Sequence, residues 1–312
     1  MVIVLLDKVS YKFKNHLKRY ITELSGLPSQ FVFSDTIWKK KKNFTTILSK
    51  LVLQIFSKLG WKIWQVDLKG VIPNYYIPAV AGLSVYKEKS KFNFRLVGSL
   101  NPHSNKYSPL HQKSSFKPEE KFKCMTKMFE VWIKKYMEDS EKNPNLIVVY
   151  RDGLTLEQVK AQVKEEILAL KTAVSHFKDY RPEIVYMIVC NKENTRFYME
   201  VCENSLINCH FGTAYIDSKI NDQAYEFYLQ AHSVSRACAQ PVFYRVALNE
   251  SELTQKELIS FTNSQCYNYY NWTGATKIPA CLQYNKKLTK FIQETSLDIN
   301  NLPKLEGTPH FL

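Results

Sequence analysis

The chain of 312 residues carries 43 Lys and Arg against 29 Asp and Glu, a formal charge of +14 that favours a polyanionic partner, nucleic acid ahead of a membrane surface. With 45% hydrophobic and 13% aromatic residues it builds a folded core long enough for two domains, which excludes a disordered chain. Its seven cysteines are odd in number and never spaced as Cys-x-x-Cys, and no His-x-x-x-His pair occurs, so a disulfide framework and a structural zinc site are excluded and a reducing, intracellular compartment is expected.

The apolar start at residues 2–6 is stopped by Asp7 and Lys8, too short for a signal peptide or a membrane span, and reads as a strand. Phe13, Leu17, Tyr20, Ile21 and Leu24 then recur at helical spacing with Lys12, Lys14, Lys18 and Arg19 beside them, predicting a basic amphipathic helix over 9–24. Gly26 and Pro28 end it, and 29–34 predicts a second strand, so the chain opens on a β-α-β unit. Lys39 to Lys42 read as a solvated charge run in a loop. A second amphipathic helix is expected over 44–59, with Lys50 on its margin and Gly60 as its stop, followed by a strand over 61–68 and a hairpin over 79–92.

Residues 99–119, with three prolines and five serines, read as a loop, and 121–136 as a helix. The run Leu146-Ile-Val-Val-Tyr150 is apolar without alternation, the pattern of a strand buried on both faces near the middle of a mainly parallel sheet. A helix over 153–177 leads to a strand over 184–190, a crossover that predicts parallel pairing. Further on, 196–201, 215–217 and 241–247 read as strands, 225–232 as helix or strand, and 251–260 as a helix with Ser251 as N-cap and Glu252 in its first turn.

The central run ends in Arg151-Asp152-Gly153, which places a carboxylate at the carboxyl end of a buried strand, where open α/β sheets hold ligands. From this stretch alone, capping of the helix that starts near Thr155, with Glu157 in its first turn, is the simpler account of Asp152. The histidines and cysteines offer no ligand spacing.

The order of these elements, and the strings Pro28-Ser-Gln30, Lys58-Leu-Gly60, Val149-Tyr-Arg-Asp-Gly153, Asn194-Thr-Arg-Phe197, Gly212-Thr213 and Cys266-Tyr-Asn-Tyr-Tyr-Asn-Trp-Thr-Gly-Ala-Thr-Lys-Ile-Pro-Ala280, resemble the middle and Piwi domains of an Argonaute of the Piwi clade. The resemblance implies an α/β fold: a partial Rossmann-like middle domain over 1–45 and an RNase H-like Piwi domain over 46–312, with the N and PAZ domains and part of the middle domain not represented. It implies a small single-stranded guide RNA held by its 5′ phosphate, a complementary RNA target, and silencing partners that bear tryptophan, with no membrane role. Lys18, Gln30 and Lys50 stand at positions matching the family's phosphate ligands, Lys14 stands where a tyrosine is expected, and the terminal carboxylate of Leu312 matches the tail that reaches the pocket, there sometimes with a metal ion such as Mg²⁺. Asp152 matches the second catalytic aspartate. Ser84, Lys286 and Lys62 stand where the first aspartate, the histidine and the glutamate of the tetrad are expected, so the resemblance implies a pseudo-nuclease with no metal at the cutting site. The alternatives are an active RNA-guided endonuclease, for which Glu88 and Glu157 are the nearby acids, and a protein-interaction module that holds no RNA.

Overall fold

The computed structural model describes residues 1–8, 10–38, 44–88, 90–153, 156–191, 194–202, 205–217, 225–234, 237–302, 305 and 307–312. The four-lysine run at 39–42 lies outside them.

The expected opening unit is present. Strand β1 (Val2–Leu6) pairs in parallel with β2 (Ser29–Phe33) across helix α1 (Tyr11–Ser25). Ser10 caps α1 by accepting from the Phe13 N–H, and Gly26 closes it at φ 58°, a left-handed geometry that a residue with Cβ adopts only with strain. The fully buried residues of α1 are polar, and of its apolar stripe only Leu17 and Ile21 are half-buried. Lys18 and Thr22 point inward, while Phe13, Tyr20 and Leu24 are 54%, 62% and 66% exposed. A short helix, α2 (Ser34–Trp38), leads on to α3 (Phe44–Lys58), which packs on β2. A boundary at residue 45 therefore falls within the first turn of α3.

Beyond α3 the expected strand over 61–68 does not form. Its aromatic residues are anchors instead: Trp64 Nε1 donates to the Tyr267 carbonyl at 2.8 Å, and its ring meets Tyr270 edge-on at 4.8 Å. The hairpin is present as β3 (Pro78–Glu88) and β4 (Lys91–Ser99). The segment expected to be a loop contains β5 (Tyr107–Ser114), an edge strand, which explains why it tolerates Pro109.

Then follow α4 (Pro118–Asp139), β6 (Leu146–Asp152), α5 (Leu156–Ser175) and β7 (Glu183–Cys190), with β6 parallel to both β3 and β7 as the crossover predicts. A separate hairpin of β8 (Tyr198–Cys202) and β9 (Ser205–Asn208) precedes the antiparallel set β10 (Thr213–Asp217), β11 (Glu226–Gln230) and β12 (Val242–Asn249). The ambiguous 225–232 segment is thus a strand. The mixed sheet has eight strands in the order β10-β11-β12-β7-β6-β3-β4-β5. Helix α6 (Gln255–Gln265) begins later than Ser251 predicts, because Thr254 and Glu257 form a reciprocal capping box worth about 1 kcal/mol. Helix α7 (Ala280–Thr295) leads to a 3-10 turn at Ile299–Asn301.

Each buried strand feeds two cores, as its lack of alternation requires. Ile147, Val149 and Ile188 meet α4 and α5 on one face, while Val148, Tyr150 and Met187 meet α6 and α7 on the other. Gly82 and Gly98 set the closest approaches: a Cβ on Gly82 would stand 2.8 Å from the Cys281 backbone carbon, and one on Gly98 would overlap the Trp132 indole. Gly82 therefore lets α7 sit directly on β3, beside the carboxyl end of β6.

Candidate functional site

Two positively charged neighbourhoods emerge from this architecture. The first lies where β2, α1, α3 and α7 meet. Lys58, at the end of α3, is 2% exposed, and its Nζ donates to the Ser29 carbonyl at 2.9 Å and to Gln30 Oε1 at 2.8 Å. Gln30 in turn donates through Nε2 to the Phe31 carbonyl at 3.3 Å and to Gln54 Oε1 at 3.1 Å, and Gln54 Nε2 donates to Asn271 Oδ1 at 2.7 Å. From α1, Lys18 reaches in with its ammonium 4.7 Å over the Phe291 ring and 3.9 Å from Glu294 Oε2. The chain's tail joins them: buried His310 stacks edge-on to Phe291, and its Nδ1 donates to the carbonyls of Leu305 and Thr308 at 3.2 and 3.1 Å.

The electrostatics of this pocket are strained. Burial, only partly relieved by Glu294 and aggravated by Lys14, Lys290 and Lys287, lowers the Lys18 pKa to about 8. Burial, then Lys18, Lys14 and Lys287, lowers that of Lys58 to about 7. Burial pushes His310 down to about 4, with Lys18 and Lys58 adding to the effect against its two backbone hydrogen bonds, so the ring is neutral. Two desolvated ammonium groups that repel each other form a site that an anion would relax. Each ammonium carries three donors and Lys58 spends two of them on Ser29 and Gln30, which leaves one for a ligand.

The structure brings together Lys18 and Gln30 and places Lys14 within electrostatic range, but it puts Lys58 where the sequence pointed to Lys50. Lys50 lies with its ammonium 4.5 Å over the Trp272 ring, away from Gln30. Lys50, Gln54 and Lys58 follow one another at four-residue steps, so they share a helix face, and only the depth of α3 against β2 decides which turn meets Gln30. Lys287, Glu294 and His310 were missed as well. Of the terminal residues it is His310 that faces the lysines, while Leu312 packs its side chain against the main core. Ammonium groups, amides and a single facing carboxylate are a poor donor set for a divalent ion, so the pocket's residues do not fit Mg²⁺.

The second neighbourhood lies at the carboxyl end of β6. The strand registers pair Asp152 with Ser84 and Ser84 with Arg95, so these three side chains leave one face of the sheet in a row. Asn285, buried on α7, donates through Nδ2 to the carbonyls of Gly82 and Arg95, both at 2.9 Å, and so fixes the turn of α7 that presents Lys286 to solvent. Asp152 Oδ1 accepts from Asn191 Nδ2 at 3.3 Å, and the Asn191 carbonyl accepts from Lys277 Nζ at 3.0 Å. Burial, then Lys286 and Arg196, lowers the pKa of Lys277, which locates all three cations in one electrostatic neighbourhood.

Beside Asp152 the sheet presents a hydroxyl, Ser84, and α7 presents an ammonium, Lys286, both poor ligands for a divalent ion. Among the described residues no three His, Cys, Asp or Glu side chains are grouped to hold a metal ion. Lys62 is exposed in the segment after α3. Glu88 is exposed and accepts from Asn93, while the side chain of Glu157 lies outside the described residues, as does Thr155, on which the capping reading of Asp152 depended. Arg151, the neighbour of Asp152, turns to the opposite face and pairs there with Glu166 at 2.9 Å, also held by Tyr186. Among the described residues no helix is long and apolar enough to cross a membrane.

Comparison with known proteins supplies the family context. The Piwi domain matches residues 1–296. Protein piwi of Drosophila melanogaster is 27% identical over 278 residues, covering 86% of this chain and 31% of that protein. Piwi-like protein 1 of Danio rerio is 25% identical over 300 residues, covering 95% and 34%, and Protein argonaute 7 of Arabidopsis thaliana 27% identical over 294, covering 89% and 29%. The chain thus spans about a third of the length of these relatives. Among solved structures, Drosophila Piwi superposes with a TM-score of 0.78 at 24% identity over 99% of this chain and 42% of its own. A Kluyveromyces polysporus Argonaute with a guide RNA gives 0.78 at 18% identity over 99% and 39%.

Proposed function

The chain belongs to the Piwi domain family, and from that premise we propose that it holds a small guide RNA by its 5′ phosphate and does not cut the paired target. The observation that carries this reading is the buried contact of Lys58 with Gln30 and Ser29 beside the desolvated Lys18. A terminal phosphate is a dianion with three acceptor oxygens. Placed between the two ammonium groups, it replaces their mutual repulsion with charge-assisted hydrogen bonds, each roughly twice as strong as a neutral one. The Gln30–Gln54–Asn271 chain holds the cradle in shape, and the tail closes it through His310. An internal phosphodiester has a single charge and no free end, so the pocket discriminates a guide's terminus from its backbone.

Guide and target beyond the first nucleotide would lie along the basic surface toward the sheet, held by phosphate contacts that are blind to sequence. At the sheet's edge the duplex meets Lys277 and Lys286 rather than metal ions. Cations there steady the target's phosphates but activate no water. In this reading silencing proceeds through pairing and recruited partners, the tryptophan-bearing proteins expected from the family among them.

The test is direct binding of a short RNA in two forms. RNA with a 5′ phosphate is expected to bind at least roughly tenfold more tightly than the 5′-hydroxyl form, the equivalent of one charged hydrogen bond. Equal affinity for the two forms would overturn the reading. Incubation of the guide-loaded protein with a matched target in Mg²⁺ or Mn²⁺ should leave the target intact; cleavage abolished by Asp152→Ala would replace this reading with the endonuclease.

A further inference from the structure

A separate cavity lies between β4, β5 and the end of α7, on the face of the sheet from which Asp152, Ser84 and Arg95 project. Its volume is about 380 Å³, within the range of small-molecule sites and too small for a duplex. At its base sits Arg95, 1% exposed, its guanidinium stacked 4.2 Å above the Tyr86 ring. Arg95 Nε and Nη1 are buried and have no hydrogen-bond partner. Burying a guanidinium without a counter-ion is costly, and proteins normally pair one, as this chain does with Arg151 and Glu166. Burial lowers the Arg95 pKa to about 10, so the group stays charged at neutral pH.

The remaining lining defines the complement. Lys113 adds a second cation, and His111 is neutral because burial, then Arg95 and Lys113, lowers its pKa to about 4 against the pull of Asp298. Its Nε2 faces Asn93 Oδ1 at 3.3 Å. The two carboxylates in the wall are partly spent on internal contacts: Glu88 accepts from Asn93 Nδ2, and Asp298 accepts from the backbone and side chain of Asn300. Their remaining lone pairs suit hydroxyl donors. A cavity with a forked cation at its base and carboxylates at its wall fits a ligand that is anionic at one end and rich in hydroxyls at the other.

We propose that this cavity binds a small phosphomonoester, a sugar phosphate or a mononucleotide, with its phosphate on Arg95 and Lys113 and its hydroxyls on Glu88 and Asp298. The site is distinct from the guide-end pocket, which is built from Lys18, Gln30 and Lys58. It also stands whether or not that pocket holds RNA. The Arg95 backbone carbonyl accepts from Asn285, and Arg95 neighbours Ser84 in the sheet, so occupancy would bear on the helix that presents Lys286.

The test is calorimetric titration of the full chain with ribose 5-phosphate, with ribose and inorganic phosphate as controls. Ribose 5-phosphate should bind saturably, inorganic phosphate more weakly, and ribose not at all. Arg95→Lys keeps the charge but loses the fork and should weaken binding roughly tenfold, and Arg95→Met should abolish it. Thermal melts monitor folding, and Lys113→Met, on the exposed side of the cavity, should weaken binding several-fold without touching the core. The preference for 5′-phosphorylated RNA should be unchanged in all three variants. Because ribose 5-phosphate resembles a guide's end, the titration is repeated with Lys58→Met, where binding should persist. Absence of binding to the unmodified chain, binding undiminished in both Arg95 variants, or binding lost with Lys58→Met overturns the proposal.

Discussion

The pocket of Lys18 and Lys58 and the carboxyl end of the sheet at Asp152 are both rich in lysine, yet they are built to opposite rules. In the pocket, Lys18 and Lys58 are 8% and 2% exposed, their pKa values are lowered to about 8 and about 7, and their ammonium groups are aimed by Gln30, Ser29 and Phe291. At the sheet edge Lys286 stands in solvent and Lys277 is half-buried, held by an asparagine carbonyl and a glutamine. Buried charge that the fold strains to keep is charge waiting for a specific counter-ion. Exposed charge is screened within about 8–10 Å at physiological salt and attracts any polyanion. On the proposed reading, discrimination belongs to the first region and general adhesion to the second.

The sharpest break of that contrast is a charge reversal in each region. Lys58→Glu places a carboxylate against the incoming phosphate and should erase the preference for 5′-phosphorylated RNA, a loss of at least roughly tenfold, since one charged hydrogen bond is worth about 1.5–3 kcal/mol. Filter binding with both RNA forms measures it. Lys286→Glu should instead weaken both forms alike, by a few-fold, and flatten the salt dependence.

The next effect is on pH. Lys18 and Lys58 hold their protons less tightly folded, at about 8 and about 7, than at the ordinary value of 10.5, so between roughly pH 7 and 10.5 the unfolded chain binds more protons. Stability of the RNA-free protein should then rise with pH across that window, by up to about 1.4 kcal/mol per pH unit for each lysine in transition. Phosphate binding requires both protonated, so guide affinity should fall over the same range. Opposite slopes in a thermal melt and a binding titration are the signature; parallel slopes would show the lysines are not the coupled groups.

How much of this is legible in the sequence depends on burial. The β6 and β7 runs are apolar throughout because both faces of the sheet are covered, and their parallel pairing follows from the crossover helix. Edge strand β5 is invisible for a different reason: its buried positions are filled by Ser108, His111 and Ser114 as well as Tyr107 and Leu110, so Tyr-Ser-Pro-Leu-His-Gln-Lys-Ser shows no apolar run or alternation although most of it is buried. The amphipathic reading of α1 places the helix but not its buried residues: Lys18 and Thr22 turn in, Leu17 and Ile21 are half-buried, and Phe13, Tyr20 and Leu24 are exposed. Lys50 and Lys58 differ by two helical turns, a choice that periodicity cannot make, and it is Lys58, in the Lys-Leu-Gly string that carried the resemblance, that meets Gln30. Arg95 gave no signal, since an arginine in an alternating strand reads as a solvated residue until the cover provided by α7 is known.

The smallest expected effect is the most telling for the sheet edge. In a nuclease the aspartate at the end of β6 anchors divalent ions, and its loss, like chelation, weakens the grip on the target as well as abolishing cleavage. Here Asp152 accepts from Asn191, whose carbonyl accepts from Lys277, so on the proposed reading the carboxylate shapes a cationic surface rather than a metal site. Asp152→Ala removes one negative charge from beside the duplex and frees Asn191. Target affinity of the guide-loaded protein should therefore change by less than about twofold, an exposed-pair effect of a few tenths of a kcal/mol, and should be the same in Mg²⁺ and in EDTA. A tenfold dependence on either the aspartate or the metal would return this edge of the sheet to the cutters.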